Sequence, residues 1–403
     1  MSESEKCGNQ DLSENSNVNH LISNDKSVLK QLKVEDLRKK SYLFGNFGAK
    51  DSIVGNEELL RLFPDSKLSV YVVTWNMSGR APPDDLSDLL LPESLSCVPD
   101  LYAIGIQEGQ GHSNQDMKKW EILIQTTLGV NFVLLHSVSL NVLHLAIFAR
   151  RELIWHASLP EDAVYSSRTA PTNIVKTKGA LAISFNMFGT SLLFINCHFP
   201  AHERKNRQRF HEYEKICTSL DLPRNTKPLK SNYNSNDVTS RFDYVFWFGD
   251  LNFRIESKYS EILKTIQLAT LTSIPSFDLL MPKDQLLQAI EKGSIFYGFN
   301  EAASITFPPT YKYTVGGDTY DTLNQRVPSY TDRILCKTKK NGQLLCQIYD
   351  SIQSVKSSDH RPVFAVMEIN LKAGRDNISL NAGSFNRQVY VEALKRRSSH
   401  QMT

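Results

Sequence analysis

The chain has 403 residues, 41% of them hydrophobic and 22% charged, with a formal net charge of +3. These are the proportions of a soluble globular protein long enough to bury a substantial core, and so small a charge provides no long cationic track for a nucleic acid. Six cysteines without any CxxC spacing argue against a zinc ribbon or a disulfide scaffold and favour a reducing compartment.

In chain order, residues 1–27 are rich in Ser, Asn, Asp and Glu, and disorder is expected there. No apolar leader is visible, no run reaches the roughly 18 apolar residues of a membrane span, and the final Gln-Met-Thr is not a prenylation box. A soluble intracellular protein is therefore expected, one that meets membranes from outside. Residues 28–44 have the pattern of a short amphipathic helix.

The folded body is expected from Lys67. Short β-rich runs recur: "LSVYVVTW" (68–75), "LYAIGI" (101–106), "NFVLLHSV" (131–138), "HLAIFAR" (144–150), "ALAISFN" (180–186), "SLLFINCHF" (191–199), "DYVFWFG" (243–249), "RILCKT" (333–338) and "PVFAVMEIN" (362–370). Apolar residues at three- and four-residue spacing predict helices over 116–129 and 205–220, and a short basic helix over 387–397. Strands with a few intervening helices predict an α+β protein, a two-layer β-sandwich flanked by helices. The expected organisation is an N-terminal extension over 1–66, one domain over 67–371 and a tail over 372–403.

Polar residues fall at the ends of the apolar runs. Asn76 ends one, Gln107-Glu108 the next, His198 another, and Gly249-Asp250-Leu251-Asn252 a fourth; Asp332 precedes "RILC", and "SSDHRP" (357–362) leads into "VFAVM". A buried carboxylate is costly unless paired, hydrogen-bonded or metal-bound, so Asp250 at the end of "VFWF" calls for partners. If the strands lie side by side, these groups gather at one edge. Glu, Asp and Asn oxygens suit a hard cation, and magnesium is preferred. Zinc is disfavoured because Pro200 interrupts the His198/His202 spacing.

With these residues laid out, the chain resembles the inositol polyphosphate 5-phosphatases over about residues 67–400. "TWNMSG", "IGIQE", "NCHFPA", "VFWFGDLNFRI", "FPPTYKY", "RVPSYTDRIL" and "SSDHRPVFAV" occur in family order. The tail "AGRDNISLNAGSFNRQVYVEALKRR" and Tyr330-Thr331 are similar to the type IV branch, whereas "YDTLNQR" (320–326) is a residue short and carries Asn324 where many relatives have lysine.

The resemblance implies a DNase I-like endonuclease/exonuclease/phosphatase fold and a Mg2+-dependent 5-phosphatase acting on PI(4,5)P2 and PI(3,4,5)P3. Glu108 would be the principal magnesium ligand, with Asn76 beside it and Asp359 in the outer shell. Asp250 would orient and deprotonate the attacking water and Asn252 would hold it. His360, kept charged by Asp332, and His198 would contact the phosphoryl oxygens; a neutral His360 is an alternative base. Lys312, Tyr313 and Arg326 would grip a neighbouring 4-phosphate, and Lys178 another phosphate. Arg254 and Arg333 are expected to neutralise the carboxylates.

Partners would be phosphoinositide headgroups at membrane surfaces and, as a further class, soluble inositol phosphates. A cytoplasmic, peripherally membrane-associated monomer is expected, with Golgi or cilium as locations implied by the resemblance. The competing readings are a metal-dependent nuclease or sphingomyelinase-like phosphodiesterase, and an inactive phosphoinositide-binding scaffold.

Overall fold

Side chains alternate along each strand of this chain, yet both faces of the central strands are apolar, which is why these read as continuous hydrophobic runs. The computed structural model describes residues 52–111, 114–167, 178–225, 236–271, 276–340, 343–375 and 379–400. The chain divides into Met1–Phe47 and Gly48–Thr403, and every described residue belongs to the second unit. The helix expected at 28–44 lies outside the described residues.

Among the described residues twelve strands form two six-stranded sheets. The first has the order β11-β12-β1-β2-β4-β3, built from β1 (Lys67–Asn76), β2 (Leu101–Gln107), β3 (Phe132–Leu140), β4 (Leu143–Arg150), β11 (Leu344–Ser351) and β12 (Val363–Asn370). The second has the order β5-β6-β7-β8-β10-β9, from β5 (Glu161–Ser166), β6 (Gly179–Met187), β7 (Thr190–His198), β8 (Tyr244–Asp250), β9 (Asn300–Glu301) and β10 (Asp332–Thr338). Each sheet has one parallel pair at its centre, β1–β2 and β7–β8, flanked by antiparallel neighbours.

Residue parity assigns the faces. Val70 and Val72 of β1, Leu181 and Ile183 of β6, Phe194 of β7 and Phe246 and Phe248 of β8 meet in one core cluster between the sheets. The odd-numbered Tyr71, Val73 and Trp75 pack outward against the helix Asn114–Leu128, through Trp120 and Ile124. The helix expected at the C-terminal end runs Arg387–His400 and docks on the same layer through buried Val389 and Ala393. On the second sheet, Ile195, Val245 and Trp247 are covered by Tyr213 and Ile216 of the helix Asn206–Ser219. Among the described residues no helix is long and apolar enough to cross a membrane.

Parity also fixes where the polar residues point. Asn76, Gln107, Asn196, His198, Asp250 and Asp332 continue the inward-facing series of their strands. Deep to the edge, Gln107 Nε2 donates to Asn196 Oδ1 at 2.7 Å and to Thr74 Oγ1 at 3.0 Å, tying the two sheets together through satisfied buried amides. Arg333, one residue out of phase, emerges on the other face and pairs with Asp284 (2.9 Å) and Glu301 (2.6 Å). It therefore does not neutralise the carboxylates at the edge, contrary to expectation.

Gly249 has φ +138°, and a Cβ there would sit 2.0 Å from the carbonyl oxygen of Cys197 on the neighbouring strand. Gly249→Ala is expected to lower unfolding free energy by about 3 kcal/mol or more, because backbone cannot yield as a side chain does. Gly293→Ala, at φ +59° with no atom within 4 Å of the added carbon, is expected to cost only about 1 kcal/mol. Urea unfolding of the two variants checks the contrast.

Candidate active site

The carboxyl ends of the two parallel pairs lie at one edge, where their antiparallel neighbours begin. His198 pairs with Asp250 across β7–β8, and Asp250 with Asp332 across β8–β10. The side chains consequently abut. Asp250 Oδ2 accepts from Asn76 Nδ2 at 2.9 Å and lies 3.1 Å from His198 Nε2, while Oδ1 accepts the Asn252 backbone N–H at 3.1 Å. Asn252, at φ +56°, donates from Nδ2 to the Phe199 carbonyl at 3.1 Å and receives Arg254 Nη2 on Oδ1 at 2.5 Å. The question of how Asp250 is tolerated in the interior is answered by this ring of donors.

Glu108 follows β2 at φ +51°, and its carboxylate lies 3.7 Å from His198 Nε2 and 3.8 Å from Lys178 Nζ. Lys178 Nζ in turn contacts His198 Nε2. Burial, the largest effect, raises the Asp250 carboxyl, but the hydrogen bond from His198 and the charges of His198, His360 and Lys178 outweigh it and hold Asp250 well below the usual carboxylate range. Burial, then the Lys178 charge, pushes the His198 imidazole down despite Asp250 and Glu108. Burial likewise lowers Lys178, against the pull of Asp250 and Glu108.

On the other side of Asp250, Asp332 Oδ2 accepts from Thr310 Oγ1 (2.7 Å), Thr331 Oγ1 (2.8 Å) and His360 Nδ1 (2.9 Å). Burial pulls His360 down, yet the charge and hydrogen bond of Asp332, with the charges of Asp250 and Asp359, raise it to about 9. The ring is thus an imidazolium at neutral pH, with Nδ1 committed to Asp332. Ser358 braces this corner, its Oγ donating to the Asn76 carbonyl at 2.6 Å and accepting the His360 N–H at 3.1 Å.

The two corners differ in what they suit. Ligand atoms of Asp250, Asp332 and His360 come within 4.8 Å of one another, but this cluster already contains its own cation in His360. At the other corner the Glu108 carboxylate makes no hydrogen bond among the described residues, its side chain is 39% exposed, and it lies 3.7 Å from the His198 Nε2 that also meets Asp250. The ammonium of Lys178 already lies against it, so the corner attracts positive charge. Its oxygen donors fit a hard divalent cation.

The remaining residues are placed less as expected. Asp359 faces Lys312 Nζ (3.7 Å) and His360 Nε2 (4.0 Å), so its contacts belong to the imidazolium corner rather than to Glu108. Lys312 also lies 3.6 Å from Asp321, and exposed Arg326 lines a cleft with His202, Glu203, Arg254 and Val327. Tyr313 is turned away: its hydroxyl meets Tyr320 (3.1 Å) and Gln353 (3.3 Å), its ring stacks on Tyr320, and Arg361 covers it at 4.1 Å. The tyrosine that meets the catalytic edge is Tyr311, whose ring lies 4.5 Å from that of His360 and 4.5 Å beneath the Arg254 guanidinium.

Sequence reading passed over Tyr311, Thr310, Thr331, Ser358 and Arg209. The last is fully buried; it donates to the carbonyls of Pro200 (3.2 Å), His202 (2.8 Å) and Glu203 (3.4 Å) and to Gln285 Oε1 (2.7 Å), and so shapes the turn after His198. Its signal was positional: Arg209, Tyr213 and Ile216 fall on one helical stripe, and a charge on an apolar stripe needs internal acceptors.

The profile of the endonuclease/exonuclease/phosphatase family 2 matches residues 73–366. The phosphatidylinositol polyphosphate 5-phosphatase type IV of Mus musculus is 43% identical over 383 residues, covering 93% of this chain and 57% of the relative; the chain thus spans little more than half that protein's length. Type IV inositol polyphosphate 5-phosphatase 11 of Arabidopsis thaliana is 35% identical over 301 residues, 74% of this chain and 81% of the relative. Among solved structures, the inositol polyphosphate 5-phosphatase domain of SPsynaptojanin, in complex with inositol (1,4)-bisphosphate and calcium ion, superposes with a TM-score of 0.65 at 29% identity, covering 83% of this chain and 92% of that one.

In chelator, the His360 ring is expected to titrate near 9, and Asp332→Asn to bring it down, because burial then loses its main opponent. Since the folded value is the raised one, the stability it contributes is complete below about 6.5 and is lost as pH rises through about 9. Histidine NMR and melting temperature across that range report both effects; a wild-type ring neutral at pH 7 contradicts them. Arg209→Met is expected to raise KM and lower kcat together by about tenfold or more through the turn it supports, as steady-state kinetics reports.

Proposed function

This chain belongs to the inositol polyphosphate 5-phosphatases, within the endonuclease/exonuclease/phosphatase family 2, and on that premise we propose that it is a phosphoric monoester hydrolase removing the 5-phosphate of PI(4,5)P2 and PI(3,4,5)P3. The observation that carries the reading is the meeting, around one buried carboxylate, of an oxygen-rich corner at Glu108 and an imidazolium at His360. A phosphate monoester dianion needs charge relief from more than one side and a water held in line, and little else. We place the catalytic domain at 67–371, which spans both sheets. A divalent cation belongs to the reading, supported by the donor set and by the calcium ion of the SPsynaptojanin complex, and magnesium is the ion proposed.

Bound at Glu108 with Asn76 alongside, such a cation would act as a Lewis acid, lowering negative charge on the scissile phosphate. The protein's own groups do the rest. Asp250, ionised and fixed by Asn76 and His198, orients the attacking water and accepts its proton, while Asn252 helps hold that water. The depressed basicity of Asp250 is no obstacle, because in a loose transition state the water has lost little of its proton when the phosphorus–oxygen bond is breaking. His360, already protonated, is a poor base and serves as the cationic donor to a phosphoryl oxygen from Nε2, with Asp332 fixing Nδ1. His198, whose imidazole burial and the Lys178 charge push down, adds a contact from the opposite side.

Around the inositol ring, Lys312 and Arg326 are the proposed grips on a neighbouring phosphate, with Tyr311 and Arg254 closing the wall between them and His360. Lys178, beside Glu108 and His198, is the proposed contact to a further phosphate oxygen.

Purified protein with magnesium is expected to release phosphate from short-chain PI(4,5)P2, and excess chelator to abolish the release. Asp250→Asn is expected to lower kcat by about 10³-fold. Lys312→Ala is expected to raise KM about tenfold with kcat changed far less, the loss of one charge-assisted contact. Equal turnover by Asp250→Asn, or cleavage of a DNA duplex in preference to the lipid, would contradict the proposal.

A further inference from the structure

The hairpin that carries Lys312 also carries a carboxylate that the hydrolytic step does not use. Tyr313 and Tyr320 pair across this hairpin, with their rings stacked at 4.4 Å in the core. One step further along, Lys312 and Asp321 stand opposite each other, joined by the Asp321 backbone N–H, which donates to the Lys312 carbonyl at 2.8 Å. Alternation gives the two tyrosines to the core and turns the next pair the other way. There Asp321 Oδ2 lies 3.6 Å from Lys312 Nζ.

Asp321 is itself tied down. Its Oδ1 accepts the Leu323 backbone N–H at 3.0 Å, its Oδ2 accepts Asn324 Nδ2 at 2.7 Å, and its carbonyl accepts the Tyr259 hydroxyl at 3.1 Å. The Asn324 amide, acting against burial and together with the backbone N–H groups of Leu323 and Asn324 and the Lys312 charge, holds the Asp321 carboxyl below its ordinary range. The anchor is therefore ionised at neutral pH. Asp359 faces the same ammonium at 3.7 Å, so the charged end of a flexible four-carbon stem is steadied between two carboxylates. The turn then runs through Gln325, at φ +46°, to Arg326 at the cleft, and one loop serves both proposed grips.

Two effects of Asp321 on an incoming phosphate oppose each other. Its charge repels the phosphate, while its hold on Lys312 spares that side chain the loss of freedom on gripping one. Acting through water and past the ammonium, the repulsion is worth about threefold in affinity. Ordering an unanchored lysine costs about tenfold or more. Positioning wins. We propose that Asp321 is a positioning and specificity-determining residue, which fixes Lys312 for the phosphate beside the scissile one and so makes a 4-phosphate a condition of tight binding. The inference rests on the reading of Lys312 given above and deepens it.

The test is a double-mutant cycle on two soluble short-chain lipids that differ only in the 4-phosphate, PI(4,5)P2 and PI(5)P. Asp321→Asn keeps an acceptor for the Leu323 N–H and removes the charge, so its melting temperature is expected to stay near that of the wild type. On PI(4,5)P2 it is expected to raise KM about tenfold with kcat nearly unchanged, and on PI(5)P to leave kcat/KM as it was. Added to Lys312→Ala, it is expected to cost nothing further on either lipid. Calorimetry with inositol 1,4-bisphosphate and inositol 1-phosphate reads the same contact without turnover: only the bisphosphate is expected to bind Asp321→Asn more weakly, again by about tenfold. A chain that hydrolyses neither lipid yet shows this binding pattern overturns the hydrolase reading and leaves the Asp321–Lys312 pair standing. Equal losses on both lipids and both inositol phosphates, losses that add to those of Lys312→Ala, or wild-type behaviour of Asp321→Asn would overturn the inference.

Discussion

Everything at the functional edge follows from the need to keep a carboxylate ionised where water is excluded. Asp250 is 1% exposed, and an unpaired charge in that position would protonate or unfold its surroundings. It stays charged because three neighbours each bring a donor: the amide of Asn76 from the other sheet, the imidazole of His198 from the adjacent strand, and the backbone N–H of Asn252 from the turn it begins. The same logic repeats at Asp332, whose Oδ2 is held by two hydroxyls and the His360 ring. Pairing of this kind resolves the cost of burial at both carboxylates.

Topology supplies the pairs. A parallel pair at the centre of each sheet sends four carboxyl ends to one edge, and antiparallel β10 and β12 start there, so residues far apart in sequence become lateral neighbours. Strand parity then turns their side chains into the space between the sheets, and the Gln107–Asn196–Thr74 bridge below them keeps the sheets in register. The result is an edge with two unlike corners. One holds the half-exposed Glu108 carboxylate with the Lys178 ammonium beside it; the other holds the His360 imidazolium on Asp332. A phosphate between them, as proposed, would be met by positive charge on both sides.

Much of this was legible in the sequence, for identifiable reasons. Strands buried on both faces produce apolar runs that end abruptly, so the polar residue closing each run stood out, and Asn76, Glu108, His198, Asp250, Asp332 and His360 do converge. Elements with mixed burial left weaker traces: half-exposed β5 and β11 were not anticipated, nor was the helix Tyr259–Thr270, although Ile262, Ile266 and Ala269 form its buried stripe. Choices between neighbours were not legible. Tyr311 and Tyr313 are equivalent in the string "TYKYT", and only the aromatic stack with Tyr320 and the Arg361 cation decide which is buried. The contacts of Asp359 and Arg333 were not legible either: Asp359 answers to Lys312, and Arg333, one residue out of phase with Asp332, points to the other face.

The central claim is that a cation and an imidazolium occupy opposite corners around Asp250, and crystallography of manganese-soaked protein tests it most directly. The account requires the anomalous peak to lie against Glu108, with the ring of His360 still hydrogen-bonded to Asp332. A peak cradled by Asp332 and His360, or none at manganese concentrations that support turnover, would contradict it.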